Sequence, residues 1–247
     1  MPAKIQTLWV VSCFIVFFSF LFLSFQARVK EVRGKAEQDR IQKLKEKSEL
    51  DNKKSNVAGQ IKRVAELSEQ GKYDDAIGLA RMVAEQNPQE AEAYIWWGIA
   101  QVKSGQRDAA LPQFVRASEL NPGNPESYVY WGLTLAMMDK QEEAILKYET
   151  AIKLDPKNSN AHAYLGASLE QLGKSEESIA KLEQALALDK SNSIAYSALV
   201  DAFYNREQYA KAWETVFRAR NVNLRIAQDS IDRLSRKMPD PNAKSKF

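Results

Sequence analysis

The residues that could do chemistry are few in this chain. His162 is the single histidine and Cys13 the single cysteine, so no second such side chain is present to complete a metal site or a nucleophilic pair. His162 also stands where Tyr94, Tyr128 and Tyr196 recur at 34-residue spacing, which indicates a packing role. No glycine-rich phosphate loop is present. We therefore expect no enzyme activity, no catalytic residue, no metal and no cofactor.

Charge is distributed unevenly along the 247 residues. The net charge is +3, and the segment from Gln26 to Asn56 holds ten Lys and Arg against six Asp and Glu. From Val57 onward there are 24 basic against 26 acidic residues. The basic excess thus lies in one short segment, and we expect no nucleic-acid partner for the rest of the chain. One cysteine allows no disulfide within the chain.

The elements that position these residues follow a repeat of 34 residues. One column of the repeat is large and apolar: Trp97, Trp131, Leu165 and Leu199. The next is small: Gly98, Gly132 and Gly166, faced by a column of Ala76, Ala110, Ala144 and Ala212. The pairs that close successive units are Asn87-Pro88, Asn121-Pro122 and Asp155-Pro156. A fixed period of this length is typical of a helix–turn–helix solenoid.

On these residues the chain resembles the tetratricopeptide repeat (TPR) family. The resemblance implies an all-α, right-handed superhelical solenoid of about five helix–turn–helix repeats. We place the repeats at 57–90, 91–124, 125–158, 159–192 and 193–226, which together span 57–226.

Turn and end signals refine this division. Gly71, Gly105 and Gly173 stand where each first helix must end, and we expect left-handed caps there. Asp139 and Glu207 replace that glycine in two repeats and predict less favourable turns. Apolar residues at helical spacing after the fifth repeat predict a capping helix over 227–237. Residues 238–247, with two prolines and a Lys-rich finish, are expected to form a disordered tail.

The N-terminal segment is apolar. After a short tail at 1–4, Ile5 to Phe25 carries no charge over 21 residues, enough for a helix of about 30 Å. We predict a transmembrane anchor at 5–25, followed by a charged helical stalk at 26–56. A cleaved secretory signal remains the alternative, although bulky Phe25 lies where cleavage favours a small residue. Lys and Arg flanking the segment favour a single-pass membrane protein with a cytoplasmic repeat domain, and a periplasmic or extracytoplasmic domain remains open.

A partner surface follows from the resemblance, because first helices line the concave face of such folds. The apolar residues on that stripe are Ile95, Trp96, Ile99, Val102, Val129, Tyr130, Leu133, Met137 and Tyr164. The polar ones are Lys103, Glu170, Gln171, Asp201 and Asn205. Family members that hold a chaperone's terminal carboxylate use Lys, Asn and Arg at positions that this chain does not match. We therefore expect a protein ligand that lays an apolar helix or extended segment in the groove.

The expected function is that of a membrane-anchored adaptor or scaffold for protein–protein interaction, which supports assembly of a membrane-associated complex. Two alternatives stay open. One is a self-assembling scaffold, in which the groove engages other copies in a homo-oligomer. The other is a non-catalytic accessory of a membrane enzyme complex.

Overall fold

The computed structural model describes the backbone of residues 3–242 and the side chains from residue 26 onward, except 27 and 29. Over these residues the chain is all-helical, with eleven α-helices and connecting turns. They are α1 (Ala3–Glu69), α2 (Tyr73–Gln86), α3 (Ala91–Lys103), α4 (Arg107–Leu120), α5 (Pro125–Ala136), α6 (Gln141–Leu154), α7 (Ser159–Gln171), α8 (Ser175–Leu188), α9 (Ser193–Asn205), α10 (Tyr209–Asn221) and α11 (Gln228–Lys237).

The chain divides into two compact units, Met1–Ala58 and Gly59–Phe247. In the first unit, the described side chains of α1 up to residue 56 are exposed to solvent. Lys35 forms an ion pair with Glu31 one turn earlier, at 3.2 Å, a spacing that supports an isolated helix. The segment predicted as a charged helical stalk, 26–56, is thus part of α1.

The prediction of a transmembrane helix is wrong: among the described residues, no helix is both long and apolar enough to cross a bilayer. The described part of α1 carries Lys, Arg, Asp or Glu every few residues from Lys30 on, and Lys, Arg and Asp each cost about 2.5–3.5 kcal/mol at the centre of a membrane. The localisation as a single-pass membrane protein with a cytoplasmic repeat domain is corrected with it. The side chains of 5–25, where the anchor was placed, lie outside the described residues.

The second unit contains five helical hairpins and a final helix. The end of α1 pairs with α2, and the other hairpins are α3–α4, α5–α6, α7–α8 and α9–α10. Helices begin at the predicted boundaries Ala91, Pro125, Ser159 and Ser193. The side chains of Asn124, Asn158 and Asn192 cap the last three of these by accepting a bond from a backbone amide of the first turn.

The turns inside the hairpins take a left-handed backbone at one residue. Gly71, Gly105 and Gly173 have φ angles of 75°, 87° and 74°, which confirms the predicted caps. Asp139 and Glu207 occupy the same turn position with φ of 60° and 59°. A Cβ is unfavourable in this region, so these two turns are strained relative to their glycine counterparts.

Small residues let the two helices of a hairpin approach closely. A Cβ added to Gly98 would lie 2.6 Å from Cζ of Phe114, and one on Gly166 would lie 2.6 Å from Cγ of Leu182. Ala110 and Ala144, on the partner helices, are fully buried. The glycine and alanine columns therefore serve helix packing, as their spacing predicted.

Hydrogen bonds join successive hairpins. Asn192 not only caps α9 through Ala195 but also donates to Oγ of Ser159 at 2.8 Å and Oδ1 of Asn160 at 3.0 Å. Ser159 in turn donates to the carbonyl of Ala185. This network ties the start of α7 to the end of α8 and the start of α9.

The C-terminal end of the array is covered by α11. Leu234 of α11 is fully buried in the apolar cluster of the last hairpin. Nε1 of the buried Trp213 donates to the carbonyl of Met238 at 2.9 Å, and Arg220 pairs with Asp240 at 3.5 Å. Helix α11 lies within the segment 227–237 where the capping helix was predicted, and packed contacts continue past residue 237. Residues 243–247 of the predicted tail lie outside the described residues.

Candidate partner-binding surface

The first helices of successive hairpins lie side by side. In the second unit α3 contacts α5, α5 contacts α7, and α7 contacts α9. Among the described helices, the second members α4, α6, α8 and α10 make no such contacts with one another. Because the first helices are the closer row, they form the inner side of the stack. We call the solvent-facing side of α3, α5, α7 and α9 the inner surface.

The predicted groove residues divide between this surface and the core. Trp96, Val102, Tyr130, Leu133 and Tyr164 are partly buried, and Met137 is 42% exposed. Of the polar set, Lys103, Gln171 and Asn205 are exposed, Asp201 is partly buried and Glu170 is buried.

Three predicted groove residues are core residues instead. Ile95 and Ile99 lie in the buried cluster around Phe114, and Val129 lies in the cluster with Ala151. Their exposed fractions are 5% or less. They support the surface from beneath and offer a partner almost no contact area.

An aromatic row crosses the middle of the inner surface. Tyr130 of α5 stacks on Phe114 of α4, with ring centroids 6.2 Å apart, and Tyr164 of α7 stacks on Tyr148 of α6 at 5.8 Å. Burial raises the pKa of Tyr130 and Tyr164 above the ordinary value of 10.0. Trp96 continues the row one repeat earlier, at the same 34-residue spacing. These rings are fixed by packing and present a preformed edge to solvent.

The character of the inner surface changes between α7 and α9. A cavity of about 400 Å³ opens there, lined by Glu170, Gln171 and Asp201 together with small side chains. Glu170 accepts a hydrogen bond from Nδ2 of Asn205 at 2.9 Å. Asp201 forms an ion pair with Arg233 of α11. The structure therefore brings four of the five predicted polar groove residues together, and Lys103 lies apart from them on α3.

The sequence did not single out a second cleft, which lies between α4, α5 and α6. It measures about 660 Å³ and is lined by charges of both signs, among them Asp108, Arg116 and Lys140. Trp131 reaches this cleft, and Nζ of Lys147 lies 3.6 Å from the centre of its ring. The 34-residue column predicted that Trp131 is a core residue. The structure shows that Trp131 is partly exposed, which its place in the column could not reveal.

His162 has a structural position. It is 2% exposed, and its Nε2 lies 3.1 Å from the carbonyl oxygen of Pro156, to which it can donate. Within the part of the chain that the structure describes, no group of three or more His, Cys, Asp or Glu side chains could hold a metal ion.

Two protein-family models match most of the second unit. A family model described as tetratricopeptide repeat matches residues 62–125 and 164–225, and one described as TPR repeat matches residues 132–173. No curated protein matches the chain.

Solved structures share the same fold. A thermophilic TPR protein of Thermus thermophilus has a TM-score of 0.63 at 22% identity, covering 74% of this chain and 98% of its own. The PilF protein of Pseudomonas aeruginosa has a TM-score of 0.65 at 18% identity, covering 76% and 87%. YrrB, described as a TPR protein with an unusual peptide-binding site, has a TM-score of 0.50 at 19% identity, covering 66% and 84%. At these identities the likeness shows the fold alone.

Proposed function

Since this chain belongs to the tetratricopeptide repeat family, we propose that it is a protein–protein interaction adaptor that holds a segment of another polypeptide on its inner surface. The bound segment is apolar where it crosses α3 to α7, and it is helical or extended. No reaction is assigned to the chain; its role is to present a surface to a partner.

The observation that carries this proposal is the row of Trp96, Tyr130 and Tyr164 on three adjacent first helices. Each ring is partly exposed and held by contacts beneath, so a ligand would not have to order it. Leu133 and the exposed Met137 add flexible apolar contacts beside the row. Rigid aromatic anchors next to adaptable side chains are the composition of binding surfaces rather than of ordinary solvent-facing helices.

A peptide-display selection against the full chain tests the proposal. Random peptides of about twelve residues are selected, and the affinity of the enriched peptides is then measured by fluorescence polarisation. We expect apolar peptides whose affinity falls about tenfold or more with Leu133→Glu, because the new carboxylate would lose hydration on binding.

Leu146→Glu is the matched control. Leu146 is 61% exposed on α6, a second helix, so the same substitution there leaves the inner surface intact. Both variants must retain the helical circular dichroism and unfolding midpoint of the original chain. Failure to enrich any peptide, or enriched peptides that lose affinity only with Leu146→Glu, would contradict the proposal.

A further inference from the structure

The cavity between α7 and α9 exists because small residues replace large ones in two columns of the repeat. Ala198 follows Trp96, Tyr130 and Tyr164 at 34-residue spacing, and Ala167 follows Ile99 and Leu133. Both alanines line the cavity. The aromatic row therefore ends at α7, and a recess begins where its next ring would stand.

A buried carboxylate lines this recess. Glu170 follows Val102 and Ala136 in its column and is 8% exposed. One of its oxygens, Oε1, accepts the bond from Asn205, and the other, Oε2, is buried with no hydrogen-bond partner among the described residues. A buried charge without a partner of opposite sign is costly, and the apolar Val102 and Ala136 fill this position in the two preceding repeats without that cost. Helix packing therefore does not account for Glu170.

The neighbouring charges do not neutralise it. Asp201 is paired with Arg233, whose guanidinium carbon lies 4.5 Å from the ring centre of Tyr204. Arg206, at the C-terminal end of α9, pairs with Glu176 at 3.4 Å. With Arg233 matched to Asp201, the negative charge of Glu170 is left over at the recess.

We propose that this recess receives a lysine or arginine side chain of the bound partner, and that its cationic head pairs with the carboxylate of Glu170. The inference rests on the proposed function and specifies its ligand: an apolar stretch against the aromatic row, followed towards α9 by a basic residue. The small residues give the aliphatic stem room, and Gln171 offers a further acceptor at the rim. A cation supplies what Glu170 lacks, both a hydrogen-bond donor and the opposite charge.

The test is a cycle of protein and peptide changes. The display-selected peptide and a synthetic copy with its basic residue replaced by norleucine are each titrated against the full chain and against Glu170→Gln. We expect enriched peptides to carry a Lys or Arg beside their apolar stretch. Glu170→Gln should weaken the basic peptide about tenfold or more and leave the norleucine peptide unchanged.

Glu177→Gln is the matched control, because it removes the same charge from an exposed position on α8. It should leave both affinities unchanged. Thermal unfolding of Glu170→Gln shows whether the variant keeps its fold; a midpoint equal to or above that of the original chain is expected, since a buried charge is removed.

The two proposals fail in different ways. If Leu133→Glu lowers the affinity of the peptides but Glu170→Gln does not, or if the norleucine peptide binds more tightly than the basic one, the basic-residue inference is overturned and the adaptor proposal stands. If no peptide binds, both fall. Deleting residues 243–247 asks whether Lys244 or Lys246 of the same chain fills the recess. A gain in the affinity of the basic peptide after that deletion would show that the chain's own end competes with the peptide for the recess.

Discussion

The ring of Tyr148 in α6 occupies the space that a side chain at Gly132 in α5 would need. A Cβ on Gly132 would lie 2.6 Å from Cε1 of Tyr148 and 2.9 Å from its Cδ1. Tyr148 is 1% exposed, so its ring cannot turn into solvent to make room. The third hairpin is thus held by a contact that only glycine allows.

Gly132→Ala should therefore destabilise the repeat unit. Overpacking a filled core costs about 1–3 kcal/mol, and urea unfolding followed by circular dichroism measures it. Gly78→Ala is the control, because a Cβ on Gly78 of α2 has nothing within 4 Å. That change should raise stability by up to about 1 kcal/mol through helix propensity. Equal stabilities for the two variants would rule out the close contact as the reason for the glycine.

Asp139→Gly and Glu207→Gly should each stabilise the chain. Both residues have a left-handed backbone, with φ of 60° and 59°, at the turn position that glycine fills elsewhere. Relief of that conformation is worth about 1 kcal/mol, less the entropy that glycine adds to the unfolded chain. The reverse change, Gly173→Ala at φ of 74°, should destabilise by a similar amount. Thermal unfolding of the three variants checks the signs, and a lower midpoint for both glycine variants would refute the assignment of strain.

Stability should fall at alkaline pH through Tyr148. Burial raises the pKa of its hydroxyl above the ordinary value of 10.0. Below about pH 10 both the folded and the unfolded chain keep the proton of Tyr148, so this group does not change the free energy of unfolding. Above about pH 10 the unfolded chain releases the proton and the folded chain does not, so the free energy of unfolding falls. The loss reaches about 1.4 kcal/mol per pH unit for one such group.

Tyr148→Phe isolates this effect, because Phe114 stands at the same position one repeat earlier. Urea unfolding at about pH 8 and about pH 11 should show a smaller alkaline loss for the variant, by about 1 kcal/mol. Identical losses for the variant and the original chain would mean that the phenol ionises as readily in the folded state as in the unfolded one.

The starts of the first helices could be predicted because their signals are local and periodic. A residue before proline leaves the helix, and asparagine caps the next one, so Asn124 and Pro125 fix the start of α5. The end of the array was harder. Met238 precedes two prolines in a polar segment, yet its backbone carbonyl accepts from Trp213, a contact that no spacing in the sequence encodes.

The partner surface was predicted only to the level of the helix that carries it. Consecutive residues on a helix differ by about 100°, so Ile95 and Trp96 fall on either side of the line between core and solvent. Packing against neighbouring helices decides which of them is covered, and Ile95 is the covered one, in the cluster with Phe114 of α4. Glu170 is bonded to Asn205, 35 residues away, and borders the recess that Ala198 also lines. Charge and periodicity showed that Glu170 was polar and on the stripe, but not that it was enclosed.

The position of α11 opposes head-to-tail association of copies through the last hairpin. Leu234 of α11 packs against the last hairpin, and Trp213 of that hairpin donates a hydrogen bond to Met238, which follows α11. The apolar cluster on which another copy would dock is therefore already covered at this end of the described chain. Head-to-tail filaments joined through that cluster would first have to displace α11. Inserting whole 34-residue repeats before Gln228 is a more direct way to lengthen the inner surface, because each repeat adds its own first helix to that surface.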